Sequence, residues 1–342
     1  MPSRSSLRAV AEKSGFSLTT VSLALRDVPK IPAETRRIIQ EAARELGYQP
    51  NQRIAAAMGQ IRRPISQRSY DVVAWLYQDR GEESRSPGDH QGIMYEAARA
   101  RAEKRGWKLE PFRLFDPRMP HRSLARILYN RGIRAAVLPP FNRAVEHLDL
   151  DFSRLAAVAI GYSLCDPHLT RVSQTAIDSM EVIFQELARR GYTRPGFAEH
   201  RADHLRTHRY PWAAFHFMQT QLPEGQQIPP LDYEDAAEVT EWVLRHRPDV
   251  VIAERQAAYG GVRRTGLRVP DEIGFLRTAW TTARPDFTGV DLNYGLMAER
   301  AVDLSMQLAQ HEEYGIPAIP NVFLVGGTWR EGRTLRAPLE EV

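Results

Sequence analysis

The sequence predicts an α/β protein: a compact three-helix unit at the N-terminus, then a long region of parallel sheet wound by helices. Three observations point there. Leu7, Val10 and Ala11 fall at i, i+3 and i+4, and Val21 and Leu25 lie four apart, so two short amphipathic helices meet at Ser14-Gly15-Phe16-Ser17. From about residue 70, short apolar runs alternate with helical periodicities, the pattern of parallel strands joined by right-handed crossovers. The charge is also divided: residues 1–63 carry 11 Lys and Arg against 5 acids, a net +6, and with +4 for the whole chain this leaves −2 for residues 64–342.

Gly15 can take the positive φ that ends the first helix, and Ser17 is a good N-cap for the second. That second helix leaves Thr19, Thr20, Ser22 and Leu23 outside, with Arg26 following. Short polar and apolar side chains ending in a cation suit the edge of a duplex, although an αα-hairpin with a solvated outer face has the same pattern. Pro32 stands near the start of a third helix, whose Ile39, Ala42, Ala43 and Leu46 repeat at i, i+3, i+4 and i+7 before Gly47 stops it. The localised basic excess names phosphate as this unit's partner.

With 342 residues the chain can hold two or three domains. Its start lacks the apolar stretch of a secretion signal and no window approaches 18 uninterrupted apolar residues, so a cytoplasmic protein without membrane contact is expected. The single cysteine, Cys165, excludes an internal disulfide and a cysteine-cluster metal site. Strands are read at "DVVAWLY" (71–77), "LEPFRL", "AAVLPP" and "LAAVAIGYS" (155–163), and helices at "GIMYEAARARAEKRG" (92–106), "SLARILYNRG" and "SMEVIFQELARRG". In "AAEVTEWVLRHRPDVVIAE" (236–254) a helix runs straight into a strand. Ligands in such sheets sit beyond the carboxyl ends of the strands.

The stretch "LRAVAEKSGFSLTTVSLALRD…IPAETRRIIQEAARELGYQPN" resembles the headpiece of the LacI/GalR family of bacterial transcription regulators almost position for position. "LARILYNRGIRAAVLPP", "TGLRVPDEIGFL", "VDLNYGLMAERAVDLSMQL" and "VFLVGGTWREG" follow in the family's order, so the resemblance spans nearly the whole chain. It implies a helix-turn-helix headpiece (1–49), a hinge helix (50–63) and a two-lobed, periplasmic-binding-protein-like domain (64–342) whose chain crosses between lobes three times. By that analogy one lobe is about 69–162 plus 289–318, and the other about 163–288 plus 319–336. The implied function is a regulator, a repressor, that binds an operator in double-stranded DNA as a homodimer under control of a small-molecule effector such as a sugar, with no cofactor and no enzymatic activity. The rival reading is a cytoplasmic small-molecule-binding or hydrolytic α/β protein with a non-functional headpiece.

Carried over by motif, the base-reading positions fall on Leu18, Thr19 and Leu23, and none is a long hydrogen-bonding side chain. Readout should therefore lean on thymine methyl contacts. Leu18 lies three residues before Val21, so a core role competes. Ser17, Thr20, Ser22, Thr35 and Arg36 match phosphate-gripping positions, which set register. Asn51 matches the family's hinge, but the position of its leucine wedge is Ala57, with Met58 beside it. A linker helix without DNA contact is the alternative there.

In the cleft, the family's usual arginine aligns with Pro211, two residues after Arg209, and its usual aspartate with Ala279, beside Trp280. Glu254 and Arg255 stand where Asn-Asp is common, while Tyr77, Tyr162 and Trp212 offer flat apolar walls. These suit a sugar or an aromatic or nucleoside-like ligand, and each can instead serve lobe packing. His200, His204 and His208 fall at i, i+4 and i+8, and on a helix they would share a face fit for Zn²⁺. The segment follows a strand and begins as a loop, so no metal site is assigned. "GYSLC" (161–165) nearly forms a nucleophile elbow, but Cys165 occupies the second glycine that the sharp turn needs.

Overall fold

The computed structural model describes residues 6–25, 31–48, 71–78 and 89–339. The chain divides into two compact units, Met1–Ser69 and Tyr70–Val342. Arg26, Asn51, Ala57, Met58 and the expected hinge helix at 50–63 lie outside the described residues.

The first unit contains α1 (Leu7–Ser14), α2 (Leu18–Ala24) and α3 (Ala33–Glu45). Ser6 caps α1 by accepting from Ala9 N at 3.2 Å, and Gly15 at φ 73° turns the chain out of the helix. Ser17 caps α2, accepting from Thr20 N at 3.2 Å. Pro32 sits at the N-cap of α3, one residue outside the helix, where its missing N–H costs nothing. Val10, Ala11, Val21, Ala24, Ile39, Ala42 and Ala43 form the core. Leu18 is 48 % exposed, so the competing core role for it is excluded.

The second unit begins with β1 (Val72–Tyr77), α4 (His90–Lys104), β2 (Lys108–Arg113), α5 (His121–Asn130), β3 (Ala135–Leu138), β4 (Ala156–Ile160) and β5 (Thr170–Gln174). It then passes into α6 (Ala176–Arg189), β6 (Pro195–His200), α7 (His204–Thr207), α8 (Tyr210–Gln219), β7 (Leu231–Tyr233) and α9 (Ala236–His246). β8 (Val250–Ala253), α10 (Gln256–Arg264), β9 (Gly274–Arg277), β10 (Thr288–Asp291), α11 (Tyr294–Gln310), β11 (Val322–Val325) and β12 (Thr328–Arg330) complete it. Two six-stranded sheets result, ordered β2-β1-β3-β4-β5-β11 and β7-β6-β8-β9-β10-β12. Every pairing is parallel except that of β12 with β10.

The lobes differ from the expected boundaries. β5 pairs with β4 through Ile160 and Val172, and β11 pairs with β5, so residues 163–174 and the strand at 322–325 belong to the first lobe. β10 pairs with β9 and β12, so 289–291 belong to the second. The chain therefore crosses at Thr175, at Leu292–Asn293 and at Gly326–Gly327. The recognisable motifs mark the helices that follow the first two crossings, whereas the strands before them, "TRVSQ" and "TGVD", have no clear apolar pattern. A crossing can come only after a strand has completed its ladder.

Strands covered on both faces need apolar side chains at every position. Val73 and Trp75 of β1 join one core cluster while Ala74 and Leu76 join another on the opposite face. In the second sheet Val250 and Ile252 face one cluster, Val251 and Ala253 another. α9 and α10 pack closely because Gly261 has no side chain: a Cβ there would lie 2.6 Å from Ala236 O and 2.6 Å from Val239 Cβ, whereas one on Gly260 would meet open space. Opposite signs are expected on substitution. Gly261→Ala should destabilise by about 1–3 kcal/mol through overpacking, and Gly260→Ala should stabilise by roughly 0.5–1 kcal/mol through helix propensity, both read by urea unfolding.

Candidate functional site

In the first unit, the N-terminus of α2 forms an outward surface. The cap fixes it: Ser17 Oγ and Thr20 Oγ1 are 2.9 Å apart, which sets the orientation of the first turn. Leu18 and Thr19 are exposed, and Thr20, Ser22 and Leu23 are half-buried. Thr35 is half-buried on α3. Arg36 donates from Nη2 to Ile31 O at 3.1 Å, so this guanidinium also braces the turn before α3. Arg37 is held by Glu34 at 2.7 Å and Glu41 at 3.2 Å.

In the second unit, side chains from the carboxyl ends of both sheets converge. Tyr162, after β4, lies edge-on to Tyr210 with ring centroids 4.8 Å apart and meets His208 at 5.2 Å. Arg171, only 4 % exposed, sits under the Tyr162 ring at 4.9 Å and donates to Gly161 O at 3.0 Å. Burial pushes the Arg171 guanidinium below its ordinary range and the Tyr162 phenol above its own. A cavity of about 500 Å³ opens beside this aromatic pair, with Gln174, Thr175 and Ala213 among its lining residues.

The second lobe supplies an ion network built on Asp203, 1 % exposed. Arg255 donates to its two carboxylate oxygens at 2.6 and 2.8 Å, and Arg206 donates to Oδ1 from Nε at 3.0 Å and Nη2 at 2.8 Å. Arg206 also reaches Glu254 at 3.1 Å, and Arg277 donates to Glu254 O at 3.2 and 2.9 Å. Burial pushes the Asp203 carboxyl up, but hydrogen bonds from Arg255 and the nearby arginine charges more than offset it and hold it below the ordinary range. Tyr294, on α11 of the first lobe, is raised by burial and then by the Glu254 charge beside it, which places it against this network. Glu254 and Arg255, expected as ligand contacts, are thus already engaged with protein partners.

The other expected cleft residues are dispersed. Trp212 packs edge-on to Phe197 at 6.2 Å and His204 at 5.9 Å, with the Arg209 guanidinium 5.9 Å from its ring. Arg330 lies 5.5 Å from Trp280, whose half-buried indole has an Nε1 without a hydrogen-bond partner. Tyr77 is half-buried against the core. The histidine row does not form. His200 ends β6 and accepts from Ala202 N, His204 is buried at the start of α7, and His208 adopts φ 53°. A strand end, a single helical turn and a left-handed break replace the continuous helix that would align them, and among the described residues no cluster of three metal-ligating side chains exists. Ser163 of "GYSLC" is 2 % exposed and accepts from Phe141 N at 2.7 Å, a bracing role.

Asp203, Arg206, Arg277, Tyr294, Arg171 and Glu199 were not singled out as site residues from sequence. The segment carrying Asp203 and Arg206 is a 3₁₀ turn followed by one α turn, so no periodicity marks it. Glu199 is 7 % exposed on β6; Thr207 Oγ1 donates to its Oε1 at 3.2 Å, while Oε2 has no hydrogen-bond partner and stands 3.6 Å from His204 Nε2. Burial raises Glu199 to about 7 and lowers His204. Because the unfolded side chain ionises near 4.5 and the folded one near 7, the stabilisation from this site is full below pH 4.5 and declines as pH rises to about 7. The stability of the wild type relative to Glu199→Gln should therefore fall between these pH values by on the order of 1–3 kcal/mol. Chemical denaturation across that range checks it, and parallel profiles would exclude titration at Glu199.

Comparison with known proteins bears on both units. Residues 6–51 match the family described as bacterial regulatory proteins, lacI family. Over 45 residues the chain is 53 % identical to the HTH-type transcriptional regulator AglR of Rhizobium meliloti (strain 1021), a match spanning 13 % of each protein. Similar solved structures include a lac repressor dimer bound to operator and the anti-inducer ONPF, at TM-score 0.56 and 17 % identity, covering 98 % of this chain and 100 % of that one. A complex of the transcriptional regulator CelR with cellobiose aligns at TM-score 0.56 and 18 % identity, covering 97 % and 100 %. A LacI transcriptional regulator from a Rhodococcus species aligns at TM-score 0.58 and 14 % identity, covering 78 % and 98 %. With a lacI-type helix-turn-helix segment followed by two parallel-sheet lobes of the same fold, the chain belongs to the LacI/GalR family of bacterial transcription regulators.

Proposed function

We propose that the protein acts in the cytoplasm as a transcriptional repressor, binding a pseudo-palindromic DNA operator as a homodimer under the control of a small-molecule effector held between the two lobes. The observation that carries DNA reading is the start of α2: a capped turn that leaves Leu18 and Thr19 exposed, within a unit of net charge +6 over residues 1–63. Leu18 and Leu23 offer apolar surface to thymine methyl groups, and Thr19 can hydrogen-bond a base edge. Ser17, Thr20, Ser22, Thr35 and Arg36 are the proposed phosphate contacts, with Arg26 and Asn51 beside them. Ala57 or Met58 is the proposed minor-groove element of a hinge over 50–63.

An electrophoretic mobility shift with DNA from upstream of its own gene tests this. The full chain should form a salt-sensitive complex that needs two half-sites about one helical turn, roughly 10 bp, apart. Leu18→Ala and Thr19→Ala should each weaken the specific complex by about 1–3 kcal/mol and leave non-specific binding nearly unchanged. Absence of any specific complex would favour a ligand-binding α/β protein with an inactive headpiece.

The effector reading rests on the convergence of Tyr162, Tyr210 and His208 beside a cavity of about 500 Å³. Flat rings with few polar groups suit a sugar, as in the cellobiose complex of CelR, or an aromatic ligand. With Pro211 and Ala279 at the positions where the family places arginine and aspartate, polar recognition passes to Arg209 and to the unpartnered indole nitrogen of Trp280. Effector binding should change operator affinity by about 1–3 kcal/mol, roughly 5–150-fold. Arg209→Ala or Trp280→Ala should abolish that response and preserve effector-free DNA binding, as titrations with and without effector will show. A normal response in both mutants would place the effector elsewhere.

A further inference from the structure

The edge of the first sheet at β11 is unlike the other three sheet edges. β11 pairs with β5 on one side, and among the described residues no strand pairs with it on the other. Arg171 N donates to Asn321 O and Thr175 N donates to Val325 O, so the odd-numbered residues turn their backbone groups toward β5. Val322 and Leu324 therefore turn their N–H and C=O groups outward. Exposed edges are normally guarded by charge. β2 carries Lys108, Glu110 and Arg113, β7 carries Asp232 and β12 carries Arg330, yet not one charged residue occurs from Tyr314 to Thr328.

The same segment concentrates exposed apolar surface. Six of the sixteen large apolar side chains exposed among the described residues lie in it: Tyr314, Ile316, Ile319, Val322, Phe323 and Leu324. β11 is open on both faces, since Val322 and Leu324 border the cavity beside Tyr210 while Phe323 borders a second cavity with Trp107 and Leu304. Bare backbone groups, apolar faces and missing guard charges together describe a strand built to be paired.

We infer that β11 is covered by β11 of a second copy of this chain, the two strands running antiparallel about a two-fold axis at Phe323. A neutral edge meets its own image without like-charge repulsion, so charge favours self-pairing here and would oppose it at β2. In this register Val322 stands opposite Leu324 of the other copy, and these residues exchange the outward N–H and C=O groups that the single chain leaves unpaired. Phe323 stands opposite its own counterpart in a non-hydrogen-bonded pair, where Cα atoms lie about 4.5 Å apart and the rings meet. The two sheets then continue across the axis as one.

Two measurements on the full chain test this pairing, and neither depends on DNA or effector. Val322→Lys/Leu324→Lys places like charges across the axis on already exposed side chains, so by sedimentation equilibrium the variant should have half the mass of the wild type. In a Cys165→Ser background, Phe323→Cys should form an intermolecular disulfide under mild oxidation, because its counterpart lies within bridging range. Val322→Cys, equally exposed but opposite residue 324, should cross-link far more slowly. Equal masses for wild type and lysine variant would overturn the inference, including the case in which an extended segment of another protein occupies the edge. Equal cross-linking at 322 and 323 would overturn the register and the two-fold pairing with it.

Discussion

Burial of both faces of both sheets is the constraint on which the larger unit depends. A central strand such as Val250–Ala253 has no solvated face, so it cannot carry polar side chains along its length. Polar chemistry is displaced to the strand ends, and because the main ladders are parallel those ends fall on one side of each sheet. The Asp203 network, the Tyr162 aromatic group and Trp280 all occur there. The three crossings of the chain keep the two sets of strand ends together.

The ion network also decides which side chains remain for a ligand. An ionised carboxylate as buried as Asp203 requires partners, since leaving such a charge uncompensated costs several kcal/mol. Arg206 and Arg255 meet that need, and Glu254 engages Arg206 in turn. Side chains that look available for recognition in the sequence are thereby occupied in maintaining the loop after β6. His208 and Arg209, with φ of 53° and 55°, end that loop in consecutive left-handed residues and aim the start of α8 at Tyr162.

The smaller unit works under a different constraint. Its core is assembled from few side chains, three of them the alanines at 24, 42 and 43, so helix caps matter more than they would in a large domain. Ser17 serves both needs. Its hydroxyl completes the backbone hydrogen bonding of α2, and the same cap holds the first turn in the orientation that exposes Leu18 and Thr19.

Local chemistry determined the headpiece almost completely, because apolar spacing, Gly15, Ser17 and Gly47 are short-range signals that act within a turn of helix. Strands buried on both faces were equally legible as continuous apolar runs, as at residues 72–77 and 156–160. The polar strand at 170–174 was not, and the lobe boundaries shifted with it: "TRVSQ" becomes a strand only because β4 and β11 flank it. The cleft was legible as a location and not as a set of partners. Tyr162 and Tyr210 lie 48 positions apart and Asp203 and Arg255 lie 52 apart, so their contacts exist only after two sheets have formed and the chain has crossed between them. The histidine row shows the same limit, for its even spacing implied one helix face until a strand end and two left-handed residues separated the rings.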